Sequence, residues 1–192
     1  MLKRRIIAVL ILLDGVVVQS IGFNRYLPVG SIEISIQFLN EWGIDEIIVL
    51  DILATKNNSQ PNYTLIKKIS SSCLVPLAFG GGINNLDQIY ELMKCGVDKI
   101  ILNNTLFDSL ELLVKASSIF GSQCMIASID SKSISSSFNV YDYKKDIVRD
   151  LSVSEWALKL VDHGVGEIFL NDVDRDGAKC GYNIDLIRSL SD

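Results

Sequence analysis

Histidine is almost missing from this sequence: of 192 residues only His163 is one. It sits in a polar helical stretch ending at Gly164, which suits a surface or helix-end role better than catalysis. The four cysteines, Cys73, Cys95, Cys124 and Cys180, lie far apart with no CxxC pair. Neither a zinc site nor a redox pair is indicated, no metal or cofactor is expected, and reduced thiols in a cytoplasm fit best. Basic residues are outnumbered, 18 Lys and Arg against 23 Asp and Glu, and cluster only at the start. That leaves no footprint for nucleic acid or for an anionic membrane, and neither partner is expected. No apolar run is long enough to span a bilayer. The longest, IIAVLILL, follows MLKRR and so mimics a signal peptide, but it meets Asp14 and Gly15 with no small-x-small cleavage site. A fully buried first strand is the better reading. Linkers and low-complexity tracts are also lacking.

What is present is apolar bulk. Hydrophobic residues make up 48% of the chain and the mean hydropathy is +0.31, enough for one substantial core and a single domain over residues 1–192. Strand-like runs appear at 5–12, 46–51, 75–79, 98–103, 123–130 and 166–171. They lack the alternation of a half-exposed sheet, so both faces should be covered, as in a parallel sheet. Helical patterns fall between them at 31–42, 61–71, 86–94, 109–120, 152–163 and 183–190. Six βα units in strict alternation mean a barrel or a doubly wound sheet. The serine-rich patch 131–137 reads as a loop tip.

An internal echo favours the barrel. WGIDEIIVLDI from Trp42 recurs as HGVGEIFLNDV from His163, about 120 residues on, and more loosely as CGVDKIILNNT from Cys95. In each, a helix ends at a glycine and a buried strand follows. The expected fold is α/β, a TIM (β/α)8-type barrel with about six units present. A complete barrel usually needs ~200 or more residues, commonly ~250. The chain is therefore expected to be a fragment, or to have its open edges covered by another copy or a partner.

In a barrel, chemistry belongs at the C-terminal ends of the strands. LVPLAFGGGI ends in Gly80, Gly81 and Gly82, whose bare N–H groups can converge on an anion beside the helix that begins near Asn85. Phosphate is the natural ligand; a tight turn without one is the competing reading, and for a lone triple glycine it ranks first. Asp130 follows the buried run CMIASI and precedes Lys132, so it can exchange protons with a substrate or merely cap its strand. Asp172 to Gly177 concentrates three acids and an arginine but lacks the spacing of a calcium loop. Asp174 or Asp176 can bond substrate hydroxyls, or build a surface turn. At the opposite ends, Arg5, Glu46, Lys99 and Glu167 start otherwise apolar strands. Their charges cancel and should pair, as a plug in the barrel floor or a gate for a small molecule.

Together, RRII, EIIVLDI, PLAFGGGI, DKIILN, FGSQC, SIDSK and DVDRDGAKCGY resemble the cyclase subunit of imidazole glycerol phosphate synthase, in the histidine-pathway barrel family, over the whole chain. The resemblance implies a (β/α)8 barrel and a lyase/cyclase step on a bis-phosphorylated ribulosyl aminoimidazole substrate. Ammonia would come from a docked glutaminase subunit, forming a heterodimer. It gives Asp130 a catalytic role, Gly81, Gly82 and Asn103 one substrate phosphate, and Asp176 and Gly177 the substrate loop. It makes Arg5, Glu46, Lys99 and Glu167 the ammonia gate, and puts Asp45 and Asp98 where the glutaminase docks. The family's second catalytic aspartate falls on Ile11, which cannot transfer a proton, and its loop lysine on Gln19. Two further readings follow from those departures: an ammonia-accepting paralogue that amidates a sugar for surface polysaccharide, and a non-catalytic activator of a glutaminase.

Overall fold

The computed structural model describes residues 4–57, 59–135 and 137–190. The MLKRR start and the patch 131–137 thus lie partly outside the described residues, at 1–3 and 136. The strands in chain order are β1 (Ile7–Leu13), β2 (Val16–Ile21), β3 (Arg25–Ser31), β4 (Glu46–Asp51), β5 (Leu77–Gly80), β6 (Lys99–Leu102), β7 (Met125–Ile134), β8 (Ser137–Asp142), β9 (Ile147–Ser152) and β10 (Glu167–Asp172). The helices are α1 (Ile32–Glu41), α2 (Ile52–Asn57), α3 (Tyr63–Ser70), α4 (Leu86–Lys94), α5 (Asn104–Asp108), α6 (Glu111–Phe120), α7 (Val153–Asp162) and α8 (Ile184–Arg188). The six expected strands and six expected helices are all present, within a few residues of the sequence reading.

Two compact units make up the chain, residues 4–19 with 27–101, and 20–26 with 102–190. In the first, β1, β4, β5 and β6 are successive parallel neighbours. The apolar stems of β4, β5 and β6 are fully buried at Ile47, Val49, Leu77, Phe79 and Ile100. Helices close over them through Ile36, Ile66, Ile69, Ile89 and Leu92, each one turn or its multiple from the next on its own helix. The first strand, expected to be fully buried, is covered only in part: in β1 Leu12 alone is buried and Val9 is 39% exposed. In the second unit β10 pairs in parallel with β7, and Met125, Ala127, Ile129, Leu113, Ala116 and Leu160 form the core.

Strict alternation does not hold. An antiparallel β2 returns along β1, in the register Leu13↔Val16, and β7, β8 and β9 form an antiparallel meander before α7. Asp14 and Gly15, with φ of 53° and 75°, make the two-residue turn that such a hairpin requires. The patch at 131–137 is not simply a loop tip: β7 continues through Ile134, and the partner strand starts at Ser137.

The echoed segments fold alike. Helices α1, α4 and α7 end at Trp42, Cys95 and His163, each followed by a glycine with positive φ: Gly43, Gly96 and Gly164. In each, the N–H two past the cap reaches back to the helix: Ile44 to Leu39, Val97 to Leu92, Val165 to Leu160, at 3.3, 3.3 and 3.2 Å. The glycine N–H bonds Asn40, Met93 or Val161 in turn, completing three copies of the Schellman motif with its apolar pair. The next N–H reaches the strand with which the coming one pairs in parallel, from Asp45 to Ile6 just ahead of β1, from Asp98 to Leu77 of β5 and from Gly166 to Met125 of β7. The third copy carries glycine because a Cβ at 166 would meet Ser122 O at 2.3 Å.

Candidate active site

Asp130 is the only catalytic residue assigned from the sequence, and its surroundings are specific. It lies in the middle of β7, which runs on four residues past the expected strand end at 130, and it is 4% exposed and directly opposite Asn171 in the parallel register with β10. Asn171 Nδ2 donates to Oδ1 at 2.8 Å, and Asn103 Nδ2 donates to Oδ2 at 2.7 Å. Burial pushes the carboxyl up from 3.8 to about 6, the Asn171 and Asn103 bonds work against that, and the negative charges of Asp142 and Asp176 add to it. A carboxyl so placed changes protonation near neutrality and suits proton transfer in either direction.

The same unit holds further polar and aromatic side chains, of which the sequence reading singles out Lys132 alone. Asp142, at the end of β8, is buried and accepts from Asn104 Nδ2 at 3.2 Å, from the Lys145 N–H at 3.1 Å and from Arg149. Arg149 stacks over Phe107, 4.2 Å from the ring centre, and Phe107 stacks on Trp156. Tyr141 donates to Asp146 at 2.6 Å, and burial followed by that bond pushes its phenol up to about 12. Lys132 Nζ stands 3.9 Å over the Tyr141 ring rather than beside Asp130 as an ion pair. Tyr26 and Tyr143 bring their hydroxyls to 3.3 Å, with Phe23 edge-on to Tyr143. Burial, then Tyr143, keeps the Tyr26 phenol neutral far above its ordinary range.

The acidic loop after β10 spends its acids on internal bonds. Asp176 Oδ2 accepts from Ser20 Oγ at 2.6 Å and from the Phe23 N–H at 3.2 Å. Asp174 accepts from the Ser133 N–H and Asp172 from Asn183. Gly177 has φ of 66°, and a Cβ there would meet Ser20 O at 2.5 Å. Asp176 and Gly177 thus tie the 20–23 turn to the loop.

In the first unit, Gly81 and Gly82 follow β5, Gly82 with its N–H donated to Thr55 Oγ1 at 3.2 Å. A Cβ on Gly81, where φ is 118°, would sit 2.1 Å from Asp51 O; one on Gly82 would sit 2.6 Å from Ser59 O. Backbone proximity alone therefore requires these glycines, whatever they bind. Ile11 stands in β1 opposite Leu50 and Val18, and Gln19 is exposed on β2.

At the strand-start end, Glu46 is 0% exposed and takes two cations: Arg5 Nη1 at 2.7 Å from Oε2, and Lys99 Nζ at 3.0 Å from Oε2 and 2.9 Å from Oε1. Glu167 begins β10 in the second unit. Asp45 Oδ2 accepts from the Ile6 N–H and Asp98 Oδ2 from the Leu77 N–H, both at 2.8 Å, so each aspartate clips the start of the neighbouring strand. Among the described residues no group of three His, Cys, Asp or Glu is placed to hold a metal ion, and no helix is long and apolar enough to cross a membrane.

Residues 5–192 match the family described as histidine biosynthesis protein. The chain belongs to that family. Histidine-biosynthesis proteins of this family are TIM barrels, consistent with the parallel βα units found here. A Vibrio vulnificus protein, provisionally named imidazole glycerol phosphate synthase subunit hisF2, is 41% identical over 191 residues, which is all of this chain and 70% of that protein. A Pseudomonas aeruginosa protein with the same provisional name is 36% identical, covering all of this chain and 76% of its own length. An Exiguobacterium protein named imidazole glycerol phosphate synthase subunit HisF is 35% identical, covering 99% of this chain and 74% of its own.

Proposed function

We propose that the chain is a cyclase-type subunit of the imidazole glycerol phosphate synthase kind, a single barrel domain of the cytoplasm. It takes ammonia from a glutaminase partner into a cyclisation and lyase reaction on a bis-phosphorylated ribulosyl aminoimidazole substrate. The observation that carries this reading is the Asp130 carboxyl, buried between two amides with a protonation midpoint near neutrality. Asp130 transfers the proton. Gly81, Gly82 and Asn103 hold a substrate phosphate, with Asp176 and Gly177 on the substrate loop. Arg5, Glu46, Lys99 and Glu167 gate ammonia, and Asp45 and Asp98 line the glutaminase contact. The pairing of two cations on one fully buried carboxylate supports the gate, since breaking it has a steep cost unless a ligand compensates. Exposed Ile6 and Leu74, 72% and 81% accessible beside these strand starts, support a protein partner on that end.

Ile11 favours a second reading. With one carboxylate in place of two, an ammonia-accepting paralogue that amidates a sugar needs less from the site than a full cyclase does. The deciding experiment incubates the chain with the histidine-pathway substrate and an ammonium salt. Formation of the imidazole product establishes the first reading; its absence from folded protein, with and without a glutaminase, removes it in favour of the second. A glutaminase stimulated equally by wild type and by Asp130→Asn, with no product from either, would leave only the partner-activating role.

A further inference from the structure

The two amides on Asp130 are not equivalent. Asn103 sits in the loop after β6, at the N-cap of α5, where it makes no capping bond and turns to Asp130 instead. Asn171 is inside β10, and the ladder fixes its Cα against that of Asp130. Its Nδ2 bonds Asp130 Oδ1 at 2.8 Å and Ser128 Oγ at 3.3 Å. Ser128 lies two residues back on β7, so all three side chains share one face of the sheet. A primary amide has two N–H groups, and here both are committed to β7. That fixes which way the amide points, and among the described residues its oxygen accepts no hydrogen bond.

We propose that Asn171 is the positioning residue for Asp130, a strand-borne amide that sets the plane of the carboxyl and leaves its own carbonyl oxygen as an acceptor for a substrate N–H or O–H. The proposal rests on the reading of Asp130 as the proton-transfer group and adds what orients it. Strand-mounted groups hold geometry more closely than loop-mounted ones, so Asn171 defines the carboxyl plane and Asn103 adapts to it. The charged and titratable groups around the carboxyl are Asp142 and Tyr141 from β8, Asp176 from the loop after β10, and Lys132 from β7, which lies over the Tyr141 ring. Asp142 and Asp176 both disfavour ionisation, so the amides are what keeps the carboxylate accessible near neutrality.

The test follows the Asp130 carboxyl by carbon NMR titration of aspartate-labelled full chain, with Asp130→Asn identifying the signal. Asn171→Leu keeps the branching at Cγ and removes both donors; Asn171→Ser keeps one short donor. Expected is a rise in the Asp130 midpoint of about one pH unit in the leucine variant, the scale of a lost bond to a charged group, with a smaller rise for serine. If the leucine variant does not fold, the serine variant decides. An unmoved midpoint in a folded variant overturns the proposal. The titration needs no substrate, so a failed product assay would sink the functional reading while leaving this result intact.

Discussion

Asp130→Asn gives the sharpest test of the site, because the change alters a titrating group and little else in shape. The native carboxyl is raised from 3.8 to about 6, chiefly by burial. A raised carboxyl contributes stability that is complete below the unfolded midpoint and is lost as the pH rises through the folded one. The gap of about two pH units corresponds to ~3 kcal/mol. The wild type should therefore lose ~3 kcal/mol between pH 3.5 and 7 from this group, while Asp130→Asn, with nothing to titrate, should not. Glu33, Glu111 and Glu155 are held below the usual carboxylate range by Lys68, Lys115 and Ser152, and so act in the opposite sense. They are common to both proteins and cancel in the difference. An offset that does not vary with pH is also expected, since asparagine offers one acceptor where Asn103 and Asn171 present two donors. Urea unfolding at half-unit pH steps measures both quantities. Parallel stability curves would refute the account of Asp130 as a desolvated acid. In the same variant, turnover with the true substrate should fall ~10²–10⁴-fold, the range for loss of a general acid or base.

Gly81→Ala should destabilise the ligand-free protein by more than ~3 kcal/mol, from a 2.1 Å clash with Asp51 O on top of the positive φ, whereas Gly15→Ala, with open space around it, should cost only ~1 kcal/mol; thermal unfolding without phosphate compares them. Glu46→Gln leaves Arg5 and Lys99 without their shared anion and should cost ~3 kcal/mol in chemical unfolding, discounted for Arg5 being 44% exposed. Lys99→Met should keep ammonium-dependent turnover and lose coupling to glutamine, measured as product formed per glutamine hydrolysed. Asp98→Ala should cost ~1 kcal/mol by freeing the Leu77 N–H, while Asp98→Asn, which can still accept that bond, should keep the fold and report docking alone in a pull-down with the glutaminase.

The parallel strands and their helices were legible because each carries an unbroken apolar stem or a 3.6-residue stripe, signals that survive without tertiary context. The two antiparallel excursions were not. Val16 to Ile21 reads as part of a loop when the eye follows βα alternation, although Asp14-Gly15 between apolar runs is a hairpin signal. The meander at β8 and β9 hides behind serines and lysines, since only Val140, Tyr141 and Asp142 of β8 are buried. Asp130, Asn103 and Asn171 could each be picked out near the close of an apolar run, but the bonds from the two amides to the carboxylate could not. Asn103 and Asn171 are 27 and 41 residues away in the chain, and only the parallel ladder brings Asn171 opposite. The glycines after β5 were read for a phosphate; the near contacts with Asp51 and Ser59 that demand them are invisible without a backbone.

The three helix endings at Gly43, Gly96 and Gly164 share one hydrogen-bonding scheme, and each hands the chain to its strand through the same bond to that strand's parallel neighbour. Interchangeable fittings where each strand begins leave the strand's other end free to diverge. A whole segment from glycine to glycine can be transplanted between relatives without recutting its joints, and whatever distinguishes one catalyst from another must then be written in the connections at the far end.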